Sequence, residues 1–209
     1  MASSFFSQIP GIIHLITKLK PLSVLDIGKG FGKYGFLIHE YLGIDNKKKI
    51  NNLKTLNELS SIKIDAVEVD EDLMLPYLSA IYNKIYFGDI TKMYTDLPKY
   101  ELIIMIDIIE HINKEDALSI LRKSLAQGTN IIIATPKKYF QQDLYESEFE
   151  NHVSHWTKAD FIKLGYLDYQ YFDEGAVYLL TPEKMDIRGF GNSLVKKLRR
   201  FARFVKNEF

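Results

Sequence analysis

The chain has 209 residues, 46% of them hydrophobic and 26% charged, and its 27 basic and 27 acidic side chains give a formal net charge of zero. A neutral chain argues against a broad nucleic-acid surface, which usually carries a basic excess. The absence of cysteine excludes disulfides, thiolate metal sites and a cysteine nucleophile. The N-terminus lacks the basic residue and long apolar core of a signal peptide, and no stretch reaches the ~20 apolar residues of a membrane span. We therefore expect a cytoplasmic protein.

The pattern of apolar residues predicts helices and strands that alternate along the chain. The predicted helices cover residues 9–20, 33–42, 53–60, 70–82, 113–127 and 157–164, and the predicted strands cover 23–27, 62–69, 84–89, 101–107, 130–136, 168–172 and 176–180. A polar cluster at 45–52 is typical of a solvated loop. This order predicts an α/β fold with a doubly wound, mostly parallel seven-stranded sheet, whose two C-terminal strands form an antiparallel pair.

A glycine-rich loop follows the first predicted strand. The strand ends with Asp26, and Gly28, Gly30 and Gly32 come directly after it. Glycine is needed where a chain turns sharply or where its backbone must approach a ligand closely. Such a loop after the first strand of a parallel sheet is a nucleotide-binding device. Lys33 stands where the dinucleotide fingerprint has its third glycine, which disfavours a dehydrogenase.

The Asp-x-Gly-x-Gly-x-Gly pattern of this loop resembles the first motif of the class I S-adenosylmethionine (SAM) dependent methyltransferases. The resemblance spans about residues 20–182 and implies a Rossmann-like sheet whose loop, from Asp26 to Gly32, holds the methionine end of SAM. It departs from the family at Lys29, where relatives usually carry a small residue. A lysine there either pairs with the SAM carboxylate or points outward.

The resemblance also implies two further contacts with SAM. Glu68, with Val69 beside it, ends the second strand, where the family has an acid that binds the ribose hydroxyls. A carboxylate can accept both protons of a ribose diol, and the neighbouring Asp70 is the alternative acid. Asp89, followed by Ile90, stands where the family has an acid that meets the adenine amino group; its other interpretation is an ordinary loop cap.

A second cluster of polar residues follows the fourth predicted strand. Asp107, Glu110 and His111 lie at its carboxyl end, where ligands bind in open α/β sheets. His152 and His155 come later, before a predicted helix. In one interpretation Glu110 and His111 only line the substrate pocket, and His111 acts as a general base near neutral pH. In the other, these five residues supply the ligands of a divalent metal ion.

The spacing acid-x-x-Glu-His, with a later histidine before Trp156, resembles the metal-dependent 2′-O-methyltransferases that modify small-RNA ends. It also resembles bacterial and viral methyltransferases that act on sugars and quinone precursors. Asp107 stands where the RNA enzymes have a glutamate, and this shortens the reach of that ligand. A divalent ion would lower the pKa of a sugar hydroxyl and orient its oxygen toward the methyl group. Oxygen and nitrogen ligands together suit magnesium or manganese, and they do not exclude iron, cobalt or zinc.

Together these features predict a SAM-dependent O-methyltransferase that acts on a hydroxyl of a small-molecule or glycan acceptor. An RNA 2′-hydroxyl and a phenolic or quinone-type acceptor remain alternatives, as does a SAM-binding module without catalysis. Aromatic residues between 137 and 156 would either stack on the acceptor or form a small core under a long loop. We expect His14 and His39 to be structural, because both fall in predicted helices far from the glycine-rich loop and the second cluster.

The C-terminal residues form a separate unit in this prediction. Residues 1–188 make up the methyltransferase domain, and 189–209 form an amphipathic helix. One face of this helix is apolar, and the other carries six basic residues: Lys196, Lys197, Arg199, Arg200, Arg203 and Lys206. Such a helix either lies on an anionic membrane surface or packs on the domain or a partner chain with its basic face solvated.

Overall fold

A computed structural model of the chain describes residues 5–43, 55–138 and 148–185. The predicted polar loop at 45–52, the aromatic residues Tyr139, Phe140 and Tyr145, and the predicted helix at 189–209 lie outside these ranges. The division of the chain at residue 188 therefore stays a prediction.

The centre of the molecule is one seven-stranded sheet with the strand order β3-β2-β1-β4-β5-β7-β6. β7 runs antiparallel to both of its neighbours, and the other adjacent pairs are parallel. The strands are β1 (Ser23–Ile27), β2 (Lys63–Glu68), β3 (Lys84–Phe87), β4 (Leu102–Ile106), β5 (Asn130–Pro136), β6 (Tyr166–Tyr171) and β7 (Gly175–Thr181). The order reverses between β1 and β4, which is where doubly wound sheets bind their ligands. The predicted fold class is confirmed.

Helices and short turns cover the two faces of the sheet. The α-helices are α1 (Ile9–Leu19), α2 (Lys33–Ile38), α3 (Leu56–Leu59), α4 (Ile90–Met93), α5 (Lys114–Ala126) and α6 (Lys158–Phe161). α1 and α2 pack on one face, and α5 and α6 pack on the other. β4 is buried along its whole length, which explains why its sequence is apolar at every position. Among the described residues, no helix is both long enough and apolar enough to cross a bilayer.

The structure differs from the sequence prediction between residues 70 and 82. In place of one helix there are two short 3-10 turns, Glu71–Leu73 and Pro76–Ala80. Pro76 has no N–H to donate, and the residue before a proline is driven out of the helical conformation. Leu75 is accordingly extended, with ψ at 142°. The second turn nevertheless contributes to the core, since Leu78 is fully buried there.

The imidazole of His39 belongs to the core on the α1 side of the sheet. It is fully buried, and its Nε2 lies 2.7 Å from the carbonyl oxygen of Ile81. Burial lowers the pKa of His39, and the hydrogen bond to Ile81 opposes that change. These contacts agree with the structural role expected for this residue.

Candidate active site

The glycine-rich loop connects β1 to α2 through three glycines in left-handed backbone conformations. Their φ angles are 73° at Gly28, 49° at Gly30 and 79° at Gly32. A side chain on Gly28 would collide with the Cδ1 and Cγ1 atoms of Ile108, which approaches from the end of β4. Both the backbone conformation and the close approach therefore require glycine at position 28.

The carboxylate of Glu68 connects the end of β2 to this loop. Its Oε2 accepts a hydrogen bond from the backbone N–H of Gly30 at 3.1 Å. Its Oε1 accepts from the N–H groups of Val69 at 2.9 Å and Asp70 at 3.3 Å. Asp70 instead directs its side chain to the N–H of Asp72 and caps the next turn. Of the two acids, Glu68 faces the loop and Asp70 serves as a cap. The contact of Glu68 with the ribose stays a prediction.

A groove of about 360 Å³ runs along the carboxyl edge of the sheet from β2 across β1 to β4. Six residues of the two predicted sites line it: Gly28, Glu68, Val69, Asp89, Ile90 and His111. The structure therefore brings half of the predicted SAM contacts and His111 of the second cluster to one groove. Phe149, one of the aromatic residues that the sequence offered as a surface for the acceptor, lines it as well. The sequence did not point to Asn113, Asp116 and Val153, which also line the groove.

Asp89 has a structural role that the sequence left as an alternative. Its Oδ1 accepts hydrogen bonds from the N–H and the hydroxyl of Thr91, at 2.9 and 2.7 Å, and so caps α4. Its Oδ2 lies 3.6 Å from the ammonium of Lys92. The residue nevertheless lines the groove, so the cap and a contact with adenine are compatible.

Asp26, Lys29 and Gly32 belong to the loop, but they do not line the groove. Asp26 is buried, and its Oδ2 accepts a hydrogen bond from the hydroxyl of Tyr82 at 2.6 Å. Burial raises the pKa of Asp26 to about 6, although the bond from Tyr82 opposes the rise. Gly32 packs against Leu78 in the turn that replaces the predicted helix. Asp26 and Gly32 therefore pack the two ends of the loop against the segment 76–82.

Lys29 lies between Gly28 and Gly30 in the loop. Its side chain is fully buried, and its Nζ donates to the carbonyl oxygens of Leu73 at 3.0 Å and Gly30 at 3.3 Å. The same nitrogen lies 4.0 Å from Oε2 of Glu68. Burial lowers the pKa of Lys29, and the charge of Glu68 opposes this change. Lys29 does not point outward; it fastens the loop to the turn at 71–73.

Glu110, His111 and His152 form the centre of the second cluster, with one potential ligand atom from each within 4.8 Å of the others. The rings of His111 and His152 meet edge to face with their centroids 4.8 Å apart. Nδ1 of His111 lies 3.1 Å from the carbonyl oxygen of Asn151, so Nδ1 carries the proton and Nε2 keeps its lone pair. Burial lowers the pKa of His111 and favours the neutral ring that a metal ion requires.

The carboxyl group of Glu110 is 3% exposed. Its Oε2 accepts a hydrogen bond from the hydroxyl of Thr135 at 3.1 Å, and its Oε1 has no partner among the described residues. Burial, and to a smaller extent the nearby charge of Asp107, raises the pKa of Glu110 to about 8. A cation bound at Oε1 would replace the proton that this group otherwise holds.

Asp107 directly follows β4 and has a left-handed backbone, with φ at 53°. Both of its carboxylate oxygens are buried, and neither has a hydrogen-bond partner in the described part of the chain. Burial raises its pKa to about 6, and the charge of Lys33 and the backbone of Phe5 oppose the rise. The sequence singled out Lys33 only as a departure from a glycine motif and gave no signal that it faces Asp107.

His155 lies apart from this cluster. It is exposed, and its Nε2 lies 3.3 Å from the carbonyl oxygen of Lys137. The N–H groups of Val153 and Ser154 both donate to the carbonyl oxygen of Glu110, at 2.9 and 3.0 Å. These two bonds fix the segment so that His152, and not His155, reaches His111.

No protein-family model and no curated protein matches the chain. Its fold is similar to that of solved methyltransferases. The match to the methyltransferase domain of the bacterial protein CtHen1-CN covers 84% of this chain and 97% of that one, with 18% identity and a TM-score of 0.52. The match to a SAM-dependent methyltransferase from Archaeoglobus fulgidus covers 81% and 92%, with 13% identity and a TM-score of 0.56.

A third similar structure contains ligands. It is the N-terminal domain of EvdMO1 in the presence of SAH and D-fucose, and the match covers 88% of this chain and 86% of that one, with 10% identity and a TM-score of 0.53. At these identities the similarity concerns the fold. The chain has the fold of the class I SAM-dependent methyltransferases.

Proposed function

We propose that the chain is a SAM-dependent O-methyltransferase that acts on a hydroxyl of a sugar or glycan. The observation that carries this proposal is the single groove lined both by Gly28 and Glu68 and by His111. A SAM molecule bound along the first two residues would extend toward the third. The methyl donor and the second cluster would then share one reaction space.

The residues of the groove fit SAM. Gly28 has no side chain to block the close approach of the ligand, and Glu68 holds a buried carboxylate at the edge of the groove. Each oxygen of that carboxylate has more than one lone pair, so it can accept ribose protons while it keeps its backbone hydrogen bonds. SAM supplies the methyl group, and the loop and Glu68 supply its orientation.

The second cluster fits a divalent cation. Oε1 of Glu110 is buried without a partner among the described residues, and His111 is held with Nε2 as its unprotonated nitrogen. His152 provides the third ligand, and Asp107 takes part directly or through a water molecule. The carboxylates of this donor set suit magnesium or manganese, and its two imidazoles suit iron or zinc as well. A cation here would make the acceptor hydroxyl more acidic and orient its oxygen.

Methyl transfer is an in-line displacement in which the bond between sulfur and the methyl carbon breaks as the bond to the acceptor oxygen forms. The acceptor hydroxyl loses its proton in this step. Most of the rate enhancement would come from holding donor and acceptor in line. Without a cation, neutral His111 would take the proton as a general base.

Two observations favour a sugar as the acceptor. Phe149, which is 52% exposed, lines the groove and offers a ring on which a sugar can stack. The structure of EvdMO1, which has a similar fold, was determined in the presence of D-fucose. The resemblance of Asp107, Glu110 and His111 to the motif of the small-RNA enzymes makes an RNA 2′-hydroxyl the second candidate, and the net charge of zero disfavours it.

The test is methyl transfer from radiolabelled SAM by the full chain in the presence of Mn²⁺. The acceptors are a panel of methyl glycosides, a short RNA with a free 3′-terminal ribose, and catechol. We expect label in the glycosides and none with the His111→Ala variant. Label in RNA or in catechol alone would assign the acceptor to that class, and SAM binding without transfer to any acceptor would indicate a module without catalysis.

A further inference from the structure

The first turn of α5 contributes two polar side chains to the lining of the groove. Asn113 and Asp116 line it together with Asp89 and Ile90, the residues of the predicted adenine contact. α4, which begins at Ile90, contacts α5, and Ile90 and Ile112 belong to one apolar cluster of the core. The start of α5 therefore lies beside the place where the adenine of SAM is expected.

Asn113 orients the carboxylate of Asp116. Its Oδ1 accepts a hydrogen bond from the backbone N–H of Asp116 at 3.0 Å and so caps the helix, while its Nδ2 donates to Oδ2 of Asp116. No hydrogen bond or ion pair within the described part of the chain reaches Oδ1 of Asp116. Asp116 is exposed as well as part of the groove lining, so a ligand in the groove can reach this oxygen.

Asp89, to which the sequence assigned the adenine contact, has both of its carboxylate oxygens engaged. Its Oδ1 accepts two hydrogen bonds from Thr91, and its Oδ2 lies 3.6 Å from the ammonium of Lys92. A carboxylate oxygen accepts about two hydrogen bonds, so the bonds from Thr91 already fill Oδ1. In the same groove, Asp116 has an oxygen that carries no such bonds. Of the two acids, Asp116 is therefore the better acceptor for a further donor.

The charge of the groove lining determines which donor fits this oxygen. Its ionisable side chains are three carboxylates, Glu68, Asp89 and Asp116, and His111, with no lysine or arginine among the lining residues that the structure describes. Adenine presents an exocyclic amino group, which donates hydrogen bonds, whereas a carboxylate only accepts them. A base with a carbonyl oxygen in that position would bring two acceptors together, and this arrangement is unfavourable.

We propose that Asp116, oriented by Asn113, accepts a hydrogen bond from the exocyclic amino group of adenine and so selects the adenosine of SAM over its deaminated form, inosine. The inference rests on the proposed function and adds to it the residue that distinguishes the base. Glu68 would bind the ribose, which both forms share.

The test compares two ligands of the full chain by calorimetry. They are SAH and S-inosyl-L-homocysteine, in which a carbonyl oxygen replaces the amino group of the base. Asp116→Asn and Asp116→Ala remove the carboxylate and keep the backbone N–H that the cap of α5 uses. Glu115→Gln is the matched control, because Glu115 is exposed in the same turn and does not line the groove. Asp89→Asn tests the other acid.

We expect the wild type to bind SAH at least about tenfold more tightly than the inosine analogue, the scale of a hydrogen bond to a charged group. Both Asp116 variants should lose most of this preference through weaker binding of SAH, and Glu115→Gln should keep it. An unchanged preference in the Asp116 variants would overturn the inference, as would an equal loss of both ligands or a preference that only Asp89→Asn removes. A wild type that binds both ligands equally would also overturn it, whereas failure to bind SAH at all would refute the proposed function itself.

Discussion

Thr135 donates a hydrogen bond to one carboxylate oxygen of Glu110, and the other oxygen of that buried carboxyl group has no partner in the part of the chain that the structure describes. Few hydrogen bonds therefore stabilise the ionised form of Glu110, and burial raises its pKa to about 8. At neutral pH and without a cation the group holds a proton. A divalent ion would compete with that proton for the same oxygen.

We predict that the protein without a divalent ion loses stability as the pH rises from 6.5 to 8. The unfolded chain carries Glu110 ionised over this range, since its ordinary pKa is 4.5, whereas the folded chain must release a proton. The lowered pKa values of His39 and His111 act weakly in the opposite direction, because the unfolded rings still bind part of a proton near pH 6.5. Asp26 and Asp107 add little, because their pKa values of about 6 leave them largely ionised over this range. Glu110 therefore sets the change, roughly 1.5 kcal/mol in the free energy of unfolding.

Urea unfolding of EDTA-treated protein at the two pH values measures this change. Glu110→Gln should remove most of the pH dependence, and Glu115→Gln, at an exposed position of α5, should keep it. Added Mn²⁺ should stabilise the wild type more at pH 8 than at pH 6.5, because fewer protons compete with it. Equal stability of the ion-free wild type at both pH values would contradict the raised pKa.

We predict that Glu68→Ala weakens SAM binding by about 1–3 kcal/mol, the cost of losing charged hydrogen bonds at a buried site. The variant loses the ribose acceptor, and it also frees the N–H of Gly30 that Glu68 holds in the loop. Calorimetry measures the loss, with exposed Glu71→Ala as the control. The wild type should prefer SAM to NAD, and a preference for NAD would mean that the loop binds a dinucleotide.

The sheet could be predicted from the sequence because the signals that define each strand lie within a few consecutive residues. Most strands are largely apolar runs that end at a charged residue, a glycine or a proline, and the alternation with helices then specifies the topology. The helix expected at 70–82 was wrong because one residue, Pro76, outweighs the apolar spacing around it. The motif positions likewise placed Gly28, Glu68 and Asp89 on one edge, where the structure forms a groove.

The parts of the site that the sequence could not predict depend on contacts between distant segments. His152 and His155 look equivalent in the sequence, and two backbone hydrogen bonds to Glu110 determine which of them joins His111. The approach of Lys33 to Asp107 and the position of Asp116 in the groove follow from how α2 and α5 pack on the sheet. No local sequence pattern predicts such packing, so these contacts are seen only in the three-dimensional structure.

The predicted helix at 189–209, which lies outside the described residues, leads to a separate expectation. We propose that its basic face attaches the protein to anionic membranes. The full chain should sediment with phosphatidylserine vesicles and not with phosphatidylcholine vesicles, and high salt should release it because salt screens the attraction. A chain that ends at Gly189 should stay in solution. If both chains sediment alike, the segment does not attach the protein to the membrane.

The last prediction concerns the cation itself. Treatment with EDTA should abolish methyl transfer, and Mn²⁺ or Mg²⁺ should restore it, if Glu110, His111 and His152 hold an ion. His152→Ala should then require much more Mn²⁺ for half-maximal activity, because one of the three ligands is lost and His111 loses the ring that packs against it. His155→Ala is the matched control and should behave like the wild type, since His155 is exposed and outside the cluster.

The general-base interpretation predicts a different set of results. EDTA would then leave the rate unchanged, and His111→Ala alone would lower it by about 10²–10⁴ whatever ion is added. Loss of activity in acid, which should begin below pH 6.5 because burial lowers the pKa of His111, does not separate the two, since both require a neutral imidazole. The response to chelation does separate them, since a ligand and a base share the nitrogen atom of His111 but only a ligand loses its function when the ion is removed. Full activity in EDTA would therefore end the metal interpretation and leave the unpaired oxygen of Glu110 to be explained by the acceptor.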